Sequence, residues 1–121
     1  MTMKNIFLIF MGGGVGSLLR YGVSALITRI FASAFPLATL ISNILSCIIL
    51  AFVALLYSQK QMEGNTIKFL LIVGFCGGFS TFSSFSYETV QLIRAGQMAF
   101  AIANILISTV VCIGVIYFIV K

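Results

Sequence analysis

The stretch Gly74 to Glu88, GFCGGFSTFSSFSYE, sets glycines at 74, 77 and 78 and a run of hydroxyls in the middle of a membrane-length apolar segment. Six of the ten residues from Ser80 to Thr89 are Ser or Thr, phenylalanines stand at 75, 79, 82 and 85, and Glu88 is one of only two acids in the chain. Non-helical backbone at membrane depth is tolerated only where protein or a water-filled path satisfies its amides and carbonyls. Ser and Thr bond readily to backbone and stabilise breaks and helix starts. The pattern therefore predicts a helix over 67–76, a break at 77–80 and a second helix over 81–93, with a small polar species meeting the protein at the break. Break-point carbonyls suit a cation, and a new helix N-terminus suits an anion. At about 100° per residue, Thr81, Ser84 and Glu88 share one sector of the second half-helix, beside Phe82 and Phe85. An aromatic ring has a positive edge. The two phenylalanines thus either pack as core or line a path for a small anion.

The rest of the chain must position that segment. With 61% hydrophobic and 7% charged residues, against about 25% charged in soluble domains, the chain reads as an integral membrane protein of a single domain, 1–121. Four nearly uncharged stretches, at 5–31, 37–58, 67–93 and 98–120, each reach the roughly 20 residues that a spanning helix needs. None alternates as a barrel strand would. The fold class is an all-α membrane protein of four transmembrane helices, the third broken near its middle. Lys4 ahead of an apolar run and Ala32-Ser33-Ala34 mimic a secretory signal, but Gly12, Gly13, Gly14, Gly16 and Arg20 interrupt it, so cleavage is not expected.

Four spans put both termini and the 59–66 loop on one side, with Lys4, Lys60, Lys68, Lys121 and Glu63. The other side holds Arg29 and Arg94, with Arg20 if it snorkels that way. This is a weak bias by the positive-inside rule, and it predicts insertion both ways up with pairing of opposite copies. Four helices of about 20 residues leave little interior for water, which also favours an oligomer.

Other residues in the spans carry two readings each. Gly12 and Gly16, four apart, allow close helix approach. Arg20 lies deep in the first span, where ionisable groups face a partner or a water-filled cavity; it either draws anions into a vestibule, braces the fold through Glu88, or snorkels. Thr39 and Asn43 share a face of the second span, with Ser42 and Ser46 nearby. Asn43 is interhelical glue or a ligand contact. Asn104, Ser108 and Cys112 form a small-polar stripe on the fourth span, with packing the expected role of Asn104.

Several chemistries are excluded. The chain has no His and no Asp, so no Ser-His-Asp triad or metal cluster can assemble, and an enzyme is not expected. Cys47, Cys76 and Cys112 are widely spaced inside spans and read as small buried hydrophobes. Seven scattered cations make no basic stripe, so nucleic acid is no partner.

At this point the motifs resemble a known family. GGFSTFSSFSYE, Gly77–Glu88, is similar to the third-helix signature GGxTTFSTFxxE of the Fluc (CrcB) fluoride channels. GGGVGSLLRY resembles that family's glycine-rich stretch ending in Arg plus an aromatic, and FPLATLISN its P-x-x-T-L-x-x-N element. Ser80 and Ser84 stand where Thr is usual, and Ala38 where Gly is common. The resemblance implies a dual-topology antiparallel homodimer with two pores along the subunit interface. It also implies a structural sodium ion at the dimer centre, held by backbone carbonyls at Gly77 and Ser80. Asn43, Phe82, Phe85 and Ser108 match the fluoride pore; Thr39, Thr81, Ser84 and Glu88 match a polar track, and Arg20 the vestibule. The implied function is passive, fluoride-selective export from the cytoplasm through the cell inner (plasma) membrane, relieving fluoride toxicity. Two rivals stand beside it. A small proton-coupled drug exporter would want an acid in the first span, where Arg20 stands instead. A scaffolding membrane subunit would need no break in the third helix.

Overall fold

The computed structural model describes residues 2–61 and 64–121; Glu63, counted above on the 59–66 side, lies outside them. Every element among the described residues is helical: α1 (Met3–Ile30), α2 (Leu37–Ser58), a π-helix (Lys68–Cys76), α3 (Gly77–Phe79), α4 (Phe82–Arg94) and α5 (Met98–Val120). Four stretches are long and apolar enough to cross a membrane, namely Met3–Ile30, Leu37–Ser58, Lys68–Arg94 and Met98–Val120. This is a multi-pass membrane protein.

Local chemistry sets the ends. The first helix starts ahead of the expected residue 5 because the Thr2 hydroxyl accepts the Asn5 N–H at 3.2 Å. Pro36, with φ fixed at −77°, leads into α2. Tyr57 ties the end of α2 to the next span: its hydroxyl accepts the Lys68 N–H and donates to the Gly64 carbonyl, each at 3.0 Å. Gly96, at φ +77°, turns the chain from α4 into α5. The Gln97 N–H reaches the Leu92 carbonyl at 2.9 Å and the Gly96 N–H reaches Ile93 at 3.1 Å, the paired bonds of a Schellman stop that only a residue at ease with positive φ completes.

Packing follows membrane rules. Lipid is as apolar as leucine, so helices associate through small residues and polar contacts. The buried polar residues are Ser42, Ser46, Thr89, Asn104 and Ser108, while Phe7, Phe10, Leu18, Val110 and Phe118 face outward. α1 lies along the π-helix and α3, and α2 and α4 both pack on α5. A Cβ at Gly12 would overlap the Leu70 carbonyl, one at Gly16 the Phe75 carbonyl, and one at Gly78 the Gly13 backbone. The seam is backbone against backbone.

That seam corrects one expectation. Gly77 and Gly78, expected to unwind within 77–80, stay helical, with Gly77 at φ −63°, ψ −34°. Extended dihedrals appear at Ser80 (φ −87°, ψ 160°) and Thr81 (φ −156°, ψ 122°). The glycines are used for close approach: Gly78 sits on Gly13 and Gly74 on Gly12. Their missing side chains let α1 in, and the helical backbone continues past them to Phe79.

Candidate functional site

The extended pair is held by side chains from other elements. Asn43, on α2, brackets Thr81 from both sides: its Oδ1 accepts the Thr81 N–H at 2.8 Å, and its Nδ2 donates to the Thr81 carbonyl at 3.3 Å. The Thr81 hydroxyl then accepts the Ser84 N–H at 3.1 Å and caps α4. Ser46, also on α2, donates to the Cys76 carbonyl at 3.1 Å, which receives the Ser80 N–H at 3.0 Å and the Ser80 hydroxyl at 2.6 Å as well. Arg20 donates from Nε to the Gly78 carbonyl at 3.1 Å.

The carbonyls of Gly77 and Ser80 lose their helical donors. A continuous helix would bring the Thr81 N–H to Gly77 and the Ser84 N–H to Ser80. Both are diverted, to Asn43 and to the Thr81 hydroxyl. The Gly77 and Ser80 carbonyls therefore lack those partners, and both residues line a concavity of about 220 Å³ beside Ser46 and Cys76. Oxygen ligands of this kind suit a hard cation.

The other predicted residues fall into two separate hollows. Asn43, Thr81, Phe82, Phe85 and Ser108 line a groove of about 260 Å³ between α2, α4 and α5. Phe82 is 77% exposed, and its ring centroid is 5.6 Å from that of Phe85 at an interplanar angle of 40°. Arg20, Thr39, Ser42, Ser84 and Glu88 line a second cavity of about 680 Å³. Thr81 faces the groove and not the cavity: as an extended capping residue it leaves the helical sector that would join it to Ser84 and Glu88. Arg20 and Glu88 share the cavity, yet the only hydrogen bond of the Arg20 side chain among the described residues goes to Gly78. In the cavity wall the Ser42 hydroxyl and Glu88 Oε1 are buried without a partner among the described residues.

Sequence reasoning missed three contributors. Ser42 and Ser46 were visible only as neighbours of Asn43, yet one lines the cavity and the other holds Cys76. Thr89 links α4 to α5, accepting from Asn104 Nδ2 at 2.9 Å, while Ser108 donates to Asn104 Oδ1 at 3.2 Å. Four-residue spacing hinted at the Asn104–Ser108 stripe, but nothing in the sequence pairs it with Thr89.

Residues 7–120 match the family described as "CrcB-like protein, Camphor Resistance (CrcB)". Three relatives carry the name fluoride-specific ion channel FluC. The protein from Azobacteroides pseudotrichonymphae genomovar. CFP2 is 44% identical over 108 residues, covering 89% of this chain and 86% of that one. That from Coxiella burnetii (strain CbuK_Q154) is 41% identical over 112 residues, covering 91% and 90%. That from Shewanella halifaxensis (strain HAW-EB4) is 35% identical over 115 residues, covering 95% and 92%. With almost its whole length matched, the chain belongs to the CrcB-like family, whose relatives here are named as ion channels and not as enzymes.

Proposed function

We propose that this chain is a passive fluoride-selective channel that lets fluoride leave the cytoplasm across the inner (plasma) membrane. The observation that carries the reading is the single groove that gathers Asn43, Phe82, Phe85 and Ser108 beside an extended backbone pair. Ser80 and Thr81 lie midway along Lys68–Arg94, so we read them as a break of the third span near the bilayer centre. Hydrogen fluoride is a weak acid that crosses lipid neutral and dissociates inside, and an electrically driven leak of the anion lowers its level. Fluoride is small and strongly hydrated. A path must offer donors in place of water: an Asn43 N–H, the Ser108 hydroxyl and the positive edges of Phe82 and Phe85. Selectivity over chloride would come from a closed path too narrow for the larger ion.

The groove is open on one side, where Phe82 is exposed. A second, inverted copy would close it, giving an antiparallel homodimer with two pores. The Gly77 and Ser80 carbonyls, without their helical donors and beside an exposed Gly77, fit a sodium ion shared at the centre of that dimer. When bound there, such an ion would supply fixed positive charge shared by the carbonyls of both copies. Arg20, Thr39, Ser84 and Glu88 would form the hydrated approach, a polar track from the vestibule.

The decisive experiment is an ion-selective electrode recording on liposomes carrying purified protein, fluoride against chloride. Fluoride efflux without chloride efflux is expected; equal leakage of both, or of neither, ends the proposal. Pairing of inverted copies is tested separately by Thr2→Cys in intact cells. Labelling of part of the population from outside is expected, and complete labelling or complete protection overturns dual insertion.

A further inference from the structure

We propose that Asn104 is a positioning residue that turns the Ser108 proton away from the groove and so keeps the groove's hold on fluoride weak. The inference rests on the conduction reading above and adds to it a residue that touches no ion. The direction of the chain follows from its far end. A carbonyl can only accept, so at the 2.8 Å contact with Phe85 the Thr89 hydroxyl must donate. Its one proton spent, Thr89 Oγ1 can only accept from Asn104 at 2.9 Å, which orients the amide with Nδ2 toward Thr89. Asn104 Oδ1 then faces Ser108, and Ser108 donates to it at 3.2 Å. The hydroxyl has no second proton. What Ser108 presents to the groove is lone pairs.

An anion and Asn104 Oδ1 therefore compete for one proton. The 3.2 Å contact is long for O–H···O, so a passing anion can take the proton over. Asn104 is 1% exposed, and its Oδ1 has no water to replace what it loses. Each capture of the anion is opposed by an orphaned amide oxygen, which favours release. Conduction needs this balance, binding firm enough for entry and loose enough for exit.

The test is fluoride current against fluoride concentration for the full chain in planar bilayers. Asn104→Leu keeps the approximate shape and removes the competitor. Thr89→Val removes the acceptor that fixes the amide, so Asn104 can turn and donate to Ser108, freeing the hydroxyl proton. Both variants are expected to lower the half-saturating fluoride concentration by about three- to tenfold, the weight of one ordinary hydrogen bond, and to reduce the maximal current. Tightening is the discriminating readout, since loosened packing alone would weaken binding. A half-saturation unchanged or raised in Thr89→Val, whatever Asn104→Leu does, overturns the proposal. A wild type that carries no fluoride overturns the conduction reading and this inference with it.

Discussion

The groove and the cavity sit on two sides of one hydroxyl-rich segment, yet they treat polar atoms in opposite ways. In the groove they are committed: Asn43 holds both backbone groups of Thr81, and Ser108 bonds to Asn104. In the cavity Arg20 is committed to Gly78, but the Ser42 hydroxyl and Glu88 Oε1 have no partner among the described residues. The cavity also has more than twice the room, about 680 against 260 Å³. A roomy site with many polar residues in its lining invites water; a smaller groove beside two phenylalanines does so less. On the proposed function, an ion approaches wet and is stripped only at the groove.

Four substitutions test this contrast. Asn43→Leu is the most damaging. It leaves the Thr81 N–H and carbonyl unpaired, each worth about 1–3 kcal/mol, so fluoride efflux should vanish and denaturant resistance in detergent should fall. Wild-type resistance would mean that Thr81 has another partner. Phe82→Ile comes next. With Phe82 largely exposed in the single chain, the fold should tolerate the change, while efflux drops about three- to tenfold, the scale of one aromatic contact. Unchanged efflux would take the ring out of the path. Arg20→Gln should cut current by about two- to fivefold at low ionic strength, with the gap closing as salt screens the cavity's charge. A deficit indifferent to salt would leave Arg20 only its bond to Gly78. Glu88→Gln should matter least, within about twofold, because Gln keeps the shape and Oε1 has no hydrogen-bond partner among the described residues. A large loss would show that the carboxylate's charge acts on the ion.

Much of the architecture is legible in the sequence because membrane burial is a matter of length and charge. The four spans need no tertiary information, and the structure moves their ends by only a residue or two. Residues with two available roles are harder. Gly78 reads equally as a weak point or a contact point, and only the presence of Gly13 against it decides. Grouping Thr81 with Ser84 and Glu88 assumes a helical Thr81, but a capping residue is extended, and Thr81 lines the groove beside Asn43 while its hydroxyl caps Ser84. The Thr89–Asn104 pair depends on how α4 and α5 are rotated against each other, which no periodicity within either helix encodes. Arg20 illustrates the same limit: its depth is readable, its partner Gly78 is not.

The glycine seam has a mechanical consequence. Gly12 and Gly16 meet the carbonyls of Leu70 and Phe75 with no side chain between, so α1 and the span beside it are keyed together like two racks with meshed teeth. Sliding one past the other by a single residue would drive a bulkier neighbour into a backbone oxygen. A thicker or thinner bilayer would therefore tilt the pair as a unit sooner than shear it, and the offset of Arg20 from Ser80 along the seam would be kept.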